Sequence, residues 1–139
     1  MGLLVLYEDN HLIAVKKEPG SIVQSDKTGD ETLAEEVKAY IKRKYKKPGD
    51  VFLGIVHRLD RPVGGVIVFA RTSKALTRMN ELFREKKISK TYWAIVEEKP
   101  PREDGQLVNW LKKNQEKNRS RAYDIEVKES KKAELTYRL

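Results

Sequence analysis

Apolar residues in this chain come in short runs separated by turn-forming residues, a pattern of many small elements. Residues 3–7 and 12–15 read as two strands joined by Glu8-Asp9-Asn10. Residues 17–30 read as loop. Thr32 and Glu35 then stand at capping-box spacing, where each side chain satisfies an orphan backbone donor of the other's residue. Leu33, Val37, Tyr40, Ile41 and Tyr45 recur on one face, so the pattern predicts a helix that ends before Pro48-Gly49. Residues 52–56 are a short apolar strand, followed by a polar loop over 57–62. Residues 66–70 form a continuous apolar run, the signature of a strand covered on both faces. Ser73 is placed to cap a helix reaching about residue 86, with Leu76, Met79 and Phe83 turned inward. Residues 91–96, rich in aromatic and β-branched side chains, read as another strand that Pro100-Pro101 breaks. A further strand is expected over 107–111, a polar, basic and mobile stretch over 112–121, and a final antiparallel pair over 122–127 and 133–139. The expected fold class is α+β (mixed α/β), a single domain around one mixed, largely antiparallel sheet with flanking helices.

Composition narrows the function classes. A chain of 139 residues with 39% hydrophobic residues suits one packed core. It contains no Cys and only two His, which excludes disulfide scaffolds, thiolate nucleophiles and Cys- or His-rich metal sites. The N-terminal apolar run is short, lacks a basic leader and turns acidic at Glu8, and no stretch approaches the ~18 apolar residues of a membrane helix. The expectation is a cytoplasmic protein with no membrane partner. Its 29 Lys and Arg against 21 Asp and Glu leave a net charge of +8, which suits either a polyanionic partner or a generic soluble surface. The basic run Lys42-Arg43-Lys44 with Lys46-Lys47 has the same two readings, as complement to a helix dipole or as a phosphate patch.

The chemically informative segment is Gly54-Ile55-Val56-His57-Arg58-Leu59-Asp60-Arg61-Pro62-Val63-Gly64-Gly65. A carboxylate lies between two arginines at the end of an apolar strand, where loops tend to carry catalytic groups. Flanking guanidinium groups favour the anion and are suited to phosphates. Pro62 stiffens the chain, and the two glycines allow close backbone approach to a ligand. The same letters also describe a surface loop with a local Asp–Arg ion pair, worth little in stability.

His57-Arg58-Leu59-Asp60-Arg61 resembles the HRLD signature of RluA-type pseudouridine synthases. Residues 66–72 resemble the apolar strand that follows it, Ser73-Lys74-Ala75-Leu76 the start of the next helix, and Phe83 its aromatic. Ile88-Ser89-Lys90-Thr91-Tyr92-Trp93-Ala94-Ile95-Val96 is similar to the family's K-x-Y-x-A-x-V segment, and the stretch from Asp9 to Lys17 to its first strand. The resemblance runs from about Leu6 onward. It implies a pseudouridine synthase-like catalytic domain over 1–139, C-terminally incomplete and without a separate RNA-binding S4-type domain. It also implies isomerisation of uridine to pseudouridine in structured RNA, ribosomal or transfer, with no metal or organic cofactor. Asp60 matches the essential aspartate, acting as nucleophile on the sugar or assisting a deprotonated-sugar route. Tyr92 matches the tyrosine that packs on the target base. Arg58 matches the arginine inserted where the target nucleotide flips out, as a base held in a duplex must to react. Arg61 is expected to contact a phosphate and Lys90 to belong to the RNA-binding surface, with His57 a structural part of the loop. A wider footprint is expected from Arg71, Lys74, Arg78, Arg84, Lys86, Lys87, Lys112, Lys113, Lys117, Arg119 and Arg121.

The chain also departs from the family pattern. Lys16-Lys17-Glu18-Pro19-Gly20 replaces N-K-P-x-G, Val63-Gly64-Gly65 replaces T-S-G, and Glu98 stands where a glycine is usual. A T-G-R-x-H-Q-I-R-type segment, which supplies a basic partner to the aspartate, is absent, so the last strand is expected to be an unpaired edge. The alternative reading is therefore a catalytically incomplete RNA-binding module of the same fold. A glycosidic hydrolase ranks lower, because that chemistry needs two placed carboxylates.

Overall fold

The computed structural model describes residues 2–25, 29–117 and 119–139, which fall into two compact units, Met1–Thr91 and Tyr92–Leu139. The loop expected over 17–30 lies outside the described residues at positions 26–28, as does position 118 of the stretch 112–121.

In the first unit, β1 (Val5–Glu8), β2 (Leu12–Lys17), β3 (Gly54–Ile55) and β4 (Gly65–Ala70) form an antiparallel sheet in the order β1-β2-β4-β3. Asp9 turns the first hairpin by accepting the backbone N–H groups of His11 (2.7 Å) and Leu12 (2.6 Å). The β2–β4 register places Ile13 opposite Phe69 and Val15 opposite Ile67. These four side chains are fully buried and pack against Leu33, Val37 and Ile41 of helix α1 (Leu33–Lys44). The other face of β4 is covered only toward its C-terminal end: Ala70 is fully buried and Val68 half-buried, whereas Val66 is 53% exposed, so the expectation of a strand covered on both faces holds for only part of its length.

The capping box of α1 is formed: the Thr32 hydroxyl accepts from Glu35 N–H (3.2 Å), and the Glu35 carboxylate accepts from Thr32 N–H (2.9 Å). Thr32 is buried, so Thr32→Ala should cost about 1 kcal/mol, and calorimetry should show the unfolding midpoint about 5 °C lower. Helix α2 (Ser73–Arg84) is capped by Thr72 rather than Ser73, its hydroxyl accepting from Ala75 N–H (3.1 Å). Either hydroxyl suits a cap, and the backbone leaves the extended conformation one residue earlier than expected. Leu76, Met79 and Phe83 form its half-buried face.

In the second unit, β5 (Asp104–Asn114), β6 (Arg119–Tyr123) and β7 (Lys131–Arg138) form an antiparallel sheet with β5 in the centre. The α+β class holds, with the strands shared between two sheets instead of one. Residues 122–127 and 133–139 do not pair with each other; both strands that form there pair with β5, whose length lets one strand serve two neighbours. Among the described residues the stretch 112–121 contains paired strands rather than the mobile chain expected, with Lys112 opposite Arg121 and Asn114 opposite Arg119. Its polar residues on both faces hid it from hydrophobic periodicity. As expected, β7 lies at a sheet edge.

Residues 91–96 join no ladder among the described residues, and Trp93 and Ile95 stand fully exposed. β-propensity measures fit against neighbouring strands, and here no described strand supplies that neighbour.

Candidate functional site

The loop after β3 alternates inward and outward residues. His57 and Leu59 are half-buried, whereas Arg58 and Asp60 are exposed. His57 Nε2 accepts the backbone N–H of Val68 (2.9 Å), continuing with a side chain the β3–β4 ladder that ends at Ile55. Its ring stacks on Phe83 at 5.3 Å between centroids. Burial, then the nearby Lys90 charge, lowers its pKa and favours the neutral ring. With Nε2 committed to Val68, His57 is a strut of the loop. Leu59 packs against the hydrophobic core. Two inward anchors therefore present the intervening Arg58 and the following Asp60 to solvent.

Val63 N–H donates to Asp60 C=O (3.0 Å), closing a turn over Arg61-Pro62. A second loop, leaving β2, grips this turn. Gly20 N–H donates to Arg61 C=O (2.8 Å), and Arg61 Nε donates back to Gly20 C=O (3.0 Å). Gly20 makes that approach in a left-handed conformation, φ +94°, that a side chain disfavours. The Arg61 guanidinium also pairs with Asp30. Arg61 thus finds its carboxylate in Asp30, and the local Asp60–Arg61 pair that the sequence allows does not form. A side chain at Gly64 would meet Pro19 Cδ at 3.0 Å and Lys17 C=O at 3.3 Å. The absent Cβ at Gly64 serves packing between the two loops, not approach to a ligand.

At the centre of this seam is Lys17, a residue that sequence reasoning passed over. It is fully buried, and its Nζ donates to the carbonyls of Asp60 (3.2 Å), Arg61 (3.1 Å), Val63 (2.7 Å) and Glu18 (3.3 Å). Desolvation pulls its pKa below the ordinary lysine value; the Asp60 charge opposes that shift and the Arg61 charge adds to it. A signal was present: Lys17 continues the alternation of Ile13 and Val15, on the core face of β2.

The other predicted residues are placed as follows. Lys90 is exposed and close enough to His57 for its charge to act there. Tyr92 is the first residue of the second unit and is 59% exposed. Arg71 leaves the footprint, because its side chain is only 10% exposed and pairs with Glu8 (3.1 Å). Lys74, Arg78 and Lys86 are exposed on or just past α2. Arg84 and Lys87 pair with Glu81 and Glu85. In the second unit Lys112, Lys113, Lys117, Arg119 and Arg121 line an open groove on the β5–β6 hairpin, where Arg121 lies over the Tyr123 ring at 5.3 Å. Among the described residues no three His, Asp, Glu or Cys side chains gather as a metal would require, and no helix is long and apolar enough to cross a membrane.

Residues 11–139 match the model of the family described as RNA pseudouridylate synthase. The chain is 35% identical over 124 residues to Ribosomal large subunit pseudouridine synthase C of Buchnera aphidicola subsp. Acyrthosiphon pisum, covering 89% of this chain and 38% of that protein. It is 33% identical over 135 residues to the protein of that name from Buchnera aphidicola subsp. Schizaphis graminum, covering 97% and 41%. Against the Escherichia coli K12 protein of the same name it is 34% identical over 93 residues, covering 67% and 27%. The chain therefore spans about two fifths of the length of the first two relatives. A solved structure described as "Human RNA Pseudouridylate Synthase Domain Containing 4" shares the fold, with a TM-score of 0.78 at 21% identity over 97% of this chain and 52% of that one.

Proposed function

Because this chain belongs to the RNA pseudouridylate synthase family, we propose that it isomerises uridine to pseudouridine in RNA, with Asp60 acting at the ribose–uracil linkage. The observation that carries the reading is the presentation of Asp60. Its carboxylate is exposed, while the main chain that bears it is tied to β2 and the preceding loop by Lys17 and Gly20. A fixed, accessible anion is what cleavage of a glycosidic bond calls for, since positive charge develops on the sugar. The bond from C1′ to N1 breaks, a bond from C1′ to C5 forms, the C5 proton leaves to solvent and N1 takes one up. An aspartate oxygen serves this as nucleophile on the sugar or as participant in a deprotonated-sugar route.

The remaining roles follow from exposure and charge. Arg58, exposed two residues before Asp60, fills the stack that a flipped nucleotide leaves. Tyr92 packs on the extruded base, and Lys90 contacts a phosphate. Arg61, whose side chain is 47% exposed although it holds Gly20 and Asp30, meets a phosphate with its open side. The β5–β6 hairpin extends the RNA contact. Lys112 and Arg121 stand directly opposite each other there, an arrangement of like charges that an RNA backbone relieves. Ribosomal RNA is the proposed substrate, after the names of the relatives, with transfer RNA the competitor; the proposed setting is the cytoplasm.

The test is mass-tagging detection of pseudouridine in total RNA incubated with the chain. New pseudouridine at discrete positions supports the reading, and the RNA class that bears them identifies the substrate. RNA binding that weakens by about 10³-fold between 50 and 200 mM salt, with no new pseudouridine, would establish the binding-module alternative.

A further inference from the structure

We propose that the C-terminal end of α1 is a second RNA contact, a cationic anchor for phosphates that flank the target nucleotide. The choice of RNA as the polyanion rests on the function proposed above. Lys42, Arg43, Lys44, Lys46 and Lys47 stand there within six residues, all of them exposed. Lys44 pairs with Glu8 at 2.7 Å. The side chains of the other four meet no acidic partner among the described residues. Unpaired cations on so short a stretch repel one another, and a bound polyanion removes that repulsion.

The helix dipole does not account for these charges. The last carbonyls of α1 are satisfied by main chain: Tyr45 N–H donates to Ile41 C=O (3.1 Å), Lys46 N–H to Arg43 C=O (3.3 Å) and Lys47 N–H to Lys42 C=O (3.1 Å). Lys46 and Lys47 also lie past the last turn, where the dipole's effect has faded. This closure needs one left-handed residue, for which glycine is the ordinary choice. Lys46 takes the place at φ +47°. Helix α2 ends in the same way, with Lys86 at φ +55° donating to Phe83 C=O (3.2 Å) and Lys87 N–H to Leu82 C=O (2.9 Å). Both helices thus carry a lysine where a side chain costs stability. A side chain set against the preference of its backbone points to work outside the fold.

The anchor is remote from the chemistry. Tyr40, Lys44 and Tyr45 all reach Glu8, which puts this end of α1 at the Leu12–Ala70 end of the β2–β4 ladder. The Asp60 turn is held at the Lys17–Gly65 end, five residues or roughly 17 Å away. One RNA touches both only by extending beyond its target nucleotide. The anchor therefore holds RNA and takes no part in the steps at C1′.

The test uses the full chain and two variants of equal charge. One carries Lys42→Gln, Arg43→Gln, Lys46→Gln and Lys47→Gln. The control carries Lys99→Gln, Arg102→Gln, Lys128→Gln and Lys131→Gln, at positions that are likewise exposed. The binding probe is a fluorescent RNA hairpin of about 30 nucleotides in about 100 mM salt. The α1 variant should bind it about 100-fold more weakly than the parent, and its log–log salt dependence should be shallower by about 3. The control should lose no more than about fivefold. An equal loss in both, or parental affinity in the α1 variant, overturns the proposal. Vesicles containing phosphatidylserine are the competing polyanion: if the α1 variant loses these and keeps the hairpin, the anchor is for lipid and the proposal falls. Lys46→Gly alone relieves the left-handed backbone, so it should raise the unfolding midpoint by about 4 °C while weakening the hairpin about threefold. A higher midpoint with parental affinity overturns the part given to Lys46.

Ribosomal RNA carrying tritium at uracil C5, the hydrogen that isomerisation releases, supplies the kinetic readout. The α1 variant should raise KM at least about tenfold with kcat within about twofold of the parent. A lower kcat at parental KM would overturn the remote anchor. The two levels of failure are separable. If the parent releases no tritium while the α1 variant still loses the hairpin, the proposed isomerisation fails and the anchor stands. If tritium release is normal and hairpin affinity does not depend on α1, the anchor alone is refuted.

Discussion

Asp60→Asn should lose at least about 10³-fold in pseudouridine formation while its RNA affinity stays within about twofold of the parent. The substitution is nearly isosteric and removes the anion and its nucleophilicity. It leaves the Asp60 backbone carbonyl, through which Lys17 and Val63 hold the turn, as it was. The side chain is exposed, so the change should move stability by no more than about 0.5 kcal/mol. Loss of turnover would then belong to chemistry and not to unfolding. Affinity for the RNA backbone comes from cations, and deleting a carboxylate removes none of them. Tritium release from C5-labelled RNA, read beside a filter-binding isotherm, checks both halves. Parental turnover in the variant would remove Asp60 from the mechanism. Arg58→Ala gives a contrasting result: it should weaken capture of a flipped uridine more than general RNA binding, and equal losses in both would mark a simple phosphate contact.

How much of this was legible in the sequence depends on the range of the contact. Thr32 and Glu35 meet across three residues, and their capping box could be read from spacing alone. The inward stripe of α1 and the strands around Ile13 and Phe69 follow from periodicity, because burial repeats with the geometry of the element. Asp60 was found through a local run of letters. Its supports were not, because Lys17, Gly20 and Gly64 act across more than forty residues of separation, and no periodicity encodes which carbonyls a buried ammonium will find. Arg61 illustrates the same limit: its sequence neighbour is Asp60, but its carboxylate partner is Asp30. For residues 91–96 the composition suits a strand, but a strand is a relation between segments and its own letters do not supply the partner.

The second large effect is expected at Glu8, where Glu8→Leu should destabilise the first unit by about 3 kcal/mol. The Glu8 carboxylate, 9% exposed, accepts from Lys44 Nζ (2.7 Å), Tyr45 Oη (2.8 Å) and Tyr40 Oη (3.0 Å), and pairs with Arg71 (3.1 Å). Arg71 also donates to Asp9 C=O and lies over the Tyr45 ring at 4.7 Å. Removing the carboxylate strands a buried guanidinium and takes the acceptor from the part-buried Tyr40 hydroxyl, so the cost exceeds that of one lost ion pair. Calorimetry should place the midpoint about 15 °C lower. Adding Arg71→Met should recover part of the loss, because the uncompensated charge goes with it. No recovery would mean that packing, not charge, sets the cost. Burial by itself raises the Glu8 pKa, but the Lys44, Tyr45 and Tyr40 hydrogen bonds outweigh it and the net shift is downward. A carboxyl depressed in the folded state contributes stability above its unfolded pKa of 4.5 and loses it as pH falls through the lower, folded value. His57, also depressed, begins to destabilise the fold earlier, as pH falls below 6.5 and the unfolded chain takes up the proton first. The stability of the parent should therefore begin to fall near pH 6 and fall more steeply below 4.5; Glu8→Leu should make the lower step shallower, leaving the part that Asp9 and Glu35, also depressed by their hydrogen bonds, contribute, and should leave the upper step unchanged. This network sits at the Leu12–Ala70 end of the β2–β4 ladder, whereas Lys17 and Gly65 pair at the other end, five residues or roughly 17 Å away. At temperatures where the variant stays folded, its turnover should match that of the parent. A fall in kcat there would show that the two ends of the sheet are coupled through β2.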